Sequence, residues 1–275
     1  MKKALFILLI LSSQFSIAQK LPKIKGSKNV VISERKFDSI HALTIYGRIK
    51  LNLIKADTCK LVINADGNLH ETVLSTVDKG VLSLELTSRI ISKKKFELTF
   101  YIDTLCTITL MERSKINALG TFETDTLRIE LNDNSQLTNF DGKATNTVIN
   151  TYDNTKLEGT LTSESFSLTS NDSSRALVNI KSDSINCNSN EHSKIKLIGK
   201  VKTAILKTDE ASQIDSKDCI TDTISVFCTE NSKVSVLSKD KLTIQASDKS
   251  EVLSYGVGKL ILDKFTDNAV LRKKD

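Results

Sequence analysis

One pattern, repeated nine times between residues 112 and 269, restricts the possible folds more than any other feature of the chain. An acid stands at Glu112, Asp133, Asp153, Asp172, Glu191, Glu210, Glu230, Asp248 and Asp267, at spacings of 18 to 21 residues. Two residues after the acid comes a hydroxyl in eight of the nine copies: Ser114, Ser135, Thr155, Ser174, Ser193, Ser212, Ser232 and Ser250, with Ala269 in the last. Four residues after it comes an apolar column: Ile116, Leu137, Leu157, Ala176, Ile195, Ile214, Val234, Val252 and Leu271. Positions six, four and two before each acid form a second set, as in Leu127/Ile129/Leu131, Phe166/Leu168/Ser170, Ile224/Val226/Cys228 and Leu242/Ile244/Ala246. A spacing of two is that of a strand with one buried face. A period of about 19 residues made of strands and turns marks a solenoid.

If the strands stack in parallel, equivalent residues lie about 4.8 Å apart, and nine rungs make a rod of roughly 40 Å. The handedness rule for parallel connections gives a right-handed coil. The rungs share a continuous interior, so the expected architecture is one all-β domain, a right-handed parallel β-helix of about nine rungs. The column two before the acid holds Leu110, Leu131, Thr151, Ser170, Ser189, Thr208, Cys228, Ala246 and Phe265, and its small middle members suit a tight corner. Strict alternation would also bury the acid, so a bend at the acid or the next residue must turn it outward. Asn134, Asn154, Asn231 and Asn268 occupy that next position, and Asn tolerates the left-handed backbone of a sharp bend. A leucine-rich-repeat solenoid is the alternative, since Ile129-x-Leu131-x-x-Asn134 has that cadence, but the return segments are neither helical nor Leu-rich.

Upstream, residues 1–18 read as an export signal: Lys2 and Lys3, the apolar run Ala4 to Leu11, and Ser16-Ile17-Ala18 as a small-x-small cleavage site. The apolar run is short for a bilayer span, and no cysteine follows it to carry a lipid anchor. Residues 19–29 form a polar lead-in containing the single proline, Pro22. The solenoid domain is expected over 30–275, with irregular N-terminal strands over 30–104 and regular rungs over 105–275. Leu43, Ile45, Ile49, Leu51 and Leu53 alternate as in half-buried strands, as do Val81 to Leu86 and Phe96 to Ile102. Leu69 to Val77 fits either a helical turn or a strand.

The order of several short motifs resembles a known family. Phe37-Asp38-Ser39-Ile40 is followed by Gly47-Arg48-Ile49-Lys50-Leu51. Then come Leu61-Val62-Ile63-Asn64-Ala65-Asp66-Gly67-Asn68-Leu69 and Asp78-Lys79-Gly80-Val81-Leu82-Ser83-Leu84. Together, and over nearly the whole exported chain, they resemble the exported bacterial family described as putative auto-transporter adhesin, head GIN domain. The resemblance implies a single-domain β-solenoid and supplies no catalytic residues. Family members usually carry more glycine in the rungs and a Tyr-x-Gly element near the end; here hydroxyls replace many of those glycines, and Ser254-Tyr255-Gly256 is the nearest match to that element.

The formal charge of +6 falls to +4 once Lys2 and Lys3 leave with the signal, and the charges alternate along the chain. Nucleic-acid binding calls for a basic stripe with interleaved aromatics, whereas the one basic run, Lys93-Lys94-Lys95, reads as a solvated loop tip. The five cysteines, Cys59, Cys106, Cys187, Cys219 and Cys228, lack metal-ligand spacing. They read as small hydrophobes, with Cys106, Cys187 and Cys228 at inward positions, although export permits a disulfide. Motifs for Ser hydrolases, zinc proteases, P-loops and dinucleotide folds are absent. His41, His70 and His192 sit in strand or turn contexts and read as structural or solvent-facing.

The stacked acids repel by on the order of 1 kcal/mol per neighbour in water. Calcium between rungs would offset them, as would Lys115, Lys156, Arg175, Lys194 and Lys233, each three residues after an acid. The favoured reading is a solvated turn, since Asp and Glu interchange along the column and the Gly-rich calcium nonapeptide is missing. No residue is nominated as catalytic, cofactor-binding or metal-ligating, and no cofactor is expected. The chain is therefore expected to be an exported structural or binding module of the cell envelope, with a protein or glycan ligand, no nucleic-acid partner and no membrane span after signal cleavage. A carbohydrate-cleaving solenoid is the rival, disfavoured because the nine acids single out no pair and the chain has no Trp.

Overall fold

The period-two alternation is realised as strands throughout: in a computed structural model that describes residues 21–274, 70% of the described residues are strand and 2% helix. The parallel coils of a β-solenoid of about nine turns stack one on the next. The proposed signal over 1–18 lies outside the described residues. With so little helix, the leucine-rich-repeat alternative falls away, because the return segments are themselves strands. No helix among the described residues is long and apolar enough to cross a membrane.

A single long strand supplies most of each coil, for example Lys156–Ser170, Arg175–Ser189 and Lys194–Thr208, and each pairs in parallel with the next. Register keeps like over like: Leu157 lies opposite Ala176 and then Ile195, and Leu168 opposite Cys187 and then Leu206. These columns form the core, all within a few per cent of full burial. Phe122 and Phe140 stack with centroids 5.5 Å apart on adjacent coils. Cys187, Cys219 and Cys228 are buried, Cys59 and Cys106 half-buried, and all five are free thiols. Burial pushes the Cys187 thiol far above its ordinary range, with a smaller push from nearby Cys219.

The N-terminal section closes the stack. Val30–Lys36 runs antiparallel to Lys60–Asp66, which runs antiparallel to Phe96–Ile102, and Phe96–Ile102 lies parallel to Lys50–Lys55 on the face continued by Lys115–Leu119. On the other face Val73–Asp78 and Val81–Leu86 form a hairpin beside Ala42–Ile45 and Thr107–Leu110. The segment open to two readings takes both in turn, a 3-10 helix over Gly67–Thr72 and then the strand Val73–Asp78. Part of the polar lead-in is a strand as well, since Lys23–Lys25 pairs with Arg89–Ser92. The backbone amides of Lys94 and Lys95 donate to the buried carboxylate of Asp66, so the basic run is anchored by its main chain while Lys93 and Lys94 reach solvent.

Each acid sits at a corner whose backbone explains the repeat. At eight of the nine corners both the acid and the next residue have positive φ, as in Glu191 at 53° and His192 at 65°. The N–H of Ser193 donates to the carbonyl of Asn190 at 3.1 Å, and equivalent bonds recur at Ser114, Ser135, Ser174, Ser212, Ser232 and Ser250. Two left-handed residues inside an i to i+3 bond define a type I′ turn. The bend involves both residues, and it throws the acid outward while returning the hydroxyl two later to the interior. All eight hydroxyls are buried. Several bond across coils, Thr155 to Ser174 at 3.0 Å and Ser193 to the carbonyl of Ser170 at 2.7 Å.

Left-handed backbone costs an L-residue roughly 1–2 kcal/mol, and Asn or Asp recovers part of this by local hydrogen bonding. Ala211, at φ 58°, has no side chain to do so. Replacing it with glycine removes the strain but raises the entropy of the unfolded chain, so Ala211→Gly is expected to stabilise by about 0.5–1 kcal/mol. Calorimetry should show a small rise in Tm; a fall would mean that the turn is not strained.

Candidate functional site

Two corners run the length of the rod, and each carries a charged column. At the first, the residue after each of the first seven acids donates its N–H to the acid's carbonyl on the next coil, for instance Ser173 to Glu191 at 2.8 Å and Asn154 to Asp172 at 2.8 Å. This backbone ladder fixes eight of the nine acids, Glu112 to Asp248, in a row. Eight are exposed and Asp172 is half-buried. Lys115, Lys156, Arg175, Lys194 and Lys233 do not offset them by contact: none of the nine acids makes an ion pair among the described residues. Instead Lys156 pairs with Glu158 at 2.7 Å and Lys233 with Glu251 at 2.8 Å, because those lysines point along the strand face. Among the described residues no three His, Cys, Asp or Glu side chains gather as metal ligands.

Repulsion therefore stays in the column. The Glu191 carboxyl is raised above its ordinary range, first by a hydrogen bond and charge from Asp172, then by burial and by Glu210 and Asp209. Asp209 is raised by burial and by Glu210. A raised carboxyl means that the folded chain binds more protons than the unfolded one just above pH 4.3, the ordinary glutamate value. Stability from this group is thus complete at low pH and lost as pH rises through the folded pKa. Glu191→Gln is expected to raise Tm at pH 7 and to leave it unchanged near pH 3.5; an equal gain at both values would show that charge is not the cause.

The second corner was not anticipated from the repeat. Midway along each coil the alternation slips, and two successive outward residues appear: Thr145-Asn146, Glu164-Ser165, Asp183-Ser184 and Lys202-Thr203. The inward residue before them is small, Ala144, Ser163, Ser182 or Val201, and the hydroxyls tie the corner together. Ser163 donates to the carbonyls of Thr145 and Ser165, at 3.2 and 2.6 Å, and Ser182 to those of Glu164 and Ser184, at 3.2 and 3.0 Å. The sequence signal was available: a mostly charged column stands eight residues before each acid, at Asp125, Glu164, Asp183, Lys202, Asp222 and Asp240.

Along this corner runs a groove of about 760 Å³ crossing five coils. Lys143, Lys181 and Lys200 form one wall in register, with Glu123 at its N-terminal end; Asp125, Glu164, Asp183 and Lys202 form the other. Glu123 pairs with Lys143 at 2.9 Å and Asp183 with Lys202 at 2.7 Å. Lys181 and Lys200, on adjacent coils, make no ion pair among the described residues. The hydrogen bond from Lys143, then its charge, holds the Glu123 carboxyl below the usual range, and Glu123 in turn raises Lys143. Asp183 raises Lys202 in the same way. Glu123 is thus held in its charged form, whereas a general acid needs its carboxyl kept protonated.

His41, His70 and His192 are not brought together. His70 bonds Ser33 Oγ at 2.7 Å beneath the N-terminal strand, His41 lies against Gly80, and His192 is exposed in its turn.

Residues 37–151 and 145–258 each match the family described as "Putative auto-transporter adhesin, head GIN domain". The chain belongs to this family. The two matches divide the rod along its length and leave the final coil outside. Solved structures with the same fold include a putative adhesin from Parabacteroides merdae, 17% identical over 92% of this chain and 100% of that one, with a TM-score of 0.64. A putative lipid binding protein from Parabacteroides distasonis is 15% identical over 92% and 100%, with a TM-score of 0.65. A putative adhesin from the same species is 19% identical over 92% and 97%, with a TM-score of 0.61. A search of curated proteins gives no match.

Proposed function

We propose that this chain is an exported, adhesin-like binding module of the cell envelope, a single solenoid domain over 30–275 following a cleaved signal over 1–18, which holds an extended anionic glycan in the groove along its second corner. The observation that carries the reading is the pair Lys181 and Lys200, in register on adjacent coils and without ion-pair partners among the described residues. Cations about 4.8 Å apart repel each other, and a polyanion lying along the groove would relieve them both. The family to which the chain belongs supports a surface-binding role, and the ion pair with Lys143 commits the Glu123 carboxylate to a structural contact in the groove wall.

A panel of carboxylated and neutral polysaccharides provides the test, with retention and released reducing ends measured together. The carboxylated members should bind without turnover and weaken with salt. Lys181→Glu combined with Lys200→Glu, both exposed, should cost at least about tenfold in affinity. Binding that ignores this double substitution would remove the groove from the account. Product release abolished by Glu164→Gln would establish a carbohydrate-cleaving enzyme instead.

A further inference from the structure

Among the described residues the interior coils are paired on both sides, and the coil formed by Lys259–Phe265 and Val270–Lys273 on one side only. Lys259–Phe265 pairs with Lys233–Ala246, and Val270–Lys273 with Glu251–Gly256; among the described residues no strand lies on the outer edge of either. Register sets Leu260 against Leu242 and Leu262 against Ile244. Leu242 and Ile244 are 0% exposed, yet Leu260 is 45% exposed and Leu262 50%. Phe265 and Leu271, which continue the columns of Ala246 and Val252, are only half-buried. The final coil thus presents core-facing side chains with nothing described above them. Around them stand four exposed lysines, Lys259, Lys264, Lys273 and Lys274, against two exposed acids, Asp263 and Asp267, while Arg272 pairs with the half-buried Glu251 at 3.5 Å.

Three chemical demands coincide here. Free N–H and C=O groups along both outer edges call for an extended backbone. Leu260 and Leu262 call for apolar side chains at every second position. The surplus of cations calls for acids between them. A lipid surface would meet the second and third demands but leave the backbone groups unpaired. A second copy docking by the same end would set one cationic rim against another.

We propose that the C-terminal end of the solenoid is a docking site for an extended peptide in which apolar and acidic residues alternate, added as the next strand of the coil. This site is separate from the lateral groove. Its natural probe is a labelled nonapeptide alternating valine with glutamate, titrated into the purified protein. The comparison probes are the same peptide with lysine for glutamate and vesicles of anionic phospholipid, with sedimentation of the protein alone alongside.

Only the valine–glutamate peptide should bind saturably, and Leu262→Arg and Lys264→Glu should each weaken it by about tenfold or more. Leu262 is half exposed, so its replacement should leave the fold intact, as circular dichroism would verify. The arginine adds a cation, so lost affinity there separates strand docking from general attraction of an acidic peptide to a basic surface. The Lys181→Glu and Lys200→Glu pair should leave peptide binding unchanged. The proposal fails if the two peptides bind equally, if neither binds, or if the groove substitutions remove binding. It also fails if Leu262→Arg abolishes vesicle binding or dissolves a self-associated form, since the occupant would then be a membrane or a second copy.

Discussion

Gly199→Ala is expected to lower the thermal midpoint by roughly 10 °C, on the order of 4 kcal/mol, far more than the same change at Gly47. Both glycines have positive φ, 129° and 77°, so an alanine is strained at either place. They differ in what the new Cβ meets. At Gly47 nothing lies within 4 Å, whereas at Gly199 the carbonyl oxygen of Ile180 would be 2.1 Å away, with its carbon at 3.1 Å and the Ile180 nitrogen at 3.3 Å. Those atoms belong to the backbone of the adjacent coil. Ile180 pairs with Gly199, which pairs in turn with Cys219, so relieving the clash means parting two coils and breaking ladder bonds. Backbone strain alone should cost about 1 kcal/mol at Gly47, in the lower part of the range for sparsely populated conformations. Melting both variants by circular dichroism isolates the contact: equal losses would show that the close approach at Gly199 is relieved without cost.

The architecture was legible in the sequence because a solenoid writes its contacts locally. Ile116, Leu137, Leu157 and Ala176 stack in space in the order in which they recur, and period two states which side faces in. The acid corner was half legible: Asn134, Asn154 and Asn231 flagged the left-handed residue, while Glu191 and Glu210 gave no hint that they share that conformation. Ion pairing was not legible in its detail. Spacing of three placed Lys156 and Lys233 near their acids, but the I′ turn sends the two side chains apart, and these lysines meet Glu158 and Glu251 instead. The groove was missed because a one-residue slip in alternation at Glu164-Ser165 looks, in one copy, like an ordinary polar patch. It becomes a corner only when aligned coil by coil. The N-terminal closure was the least legible part. It rests on antiparallel pairings between segments some 30 residues apart, such as Val30 with Asp66, which no repeat announces.

That closure depends on Asp66, and Asp66→Ala is expected to release the N-terminal lead-in while leaving the rungs folded. The side chain is fully buried and accepts three backbone amides, from Lys28, Lys94 and Lys95, each at 3.0 Å. Gly26 passes so close that a Cβ there would lie 2.1 Å from Asp66 Oδ2. Asn68 completes the clasp, accepting from the Ser27 amide and donating to the Lys25 carbonyl, both at 2.8 Å. Burial pushes the Asp66 carboxyl up, but the three amide donors and the charge of Lys94 outweigh it, so its folded pKa lies below the ordinary value. The clasp therefore contributes fully above pH 3.9, the ordinary aspartate value, and is lost as pH falls through the folded pKa. Alanine leaves all three amides without an acceptor. Asparagine keeps one acceptor oxygen but turns an N–H₂ group toward the other donors, so Asp66→Asn should recover little. Opening is local, because Val30–Lys36 is an edge strand, and hydrogen exchange should report it where melting does not. Protection at Lys28, Lys94 and Lys95 should fall by at least roughly tenfold at pH 7, with amides in the strand Arg175–Ser189 unaffected. Wild type taken below the folded pKa should reproduce that pattern. Unchanged exchange at the three lysine amides would mean that the antiparallel pairing, rather than the carboxylate, holds the cap in place.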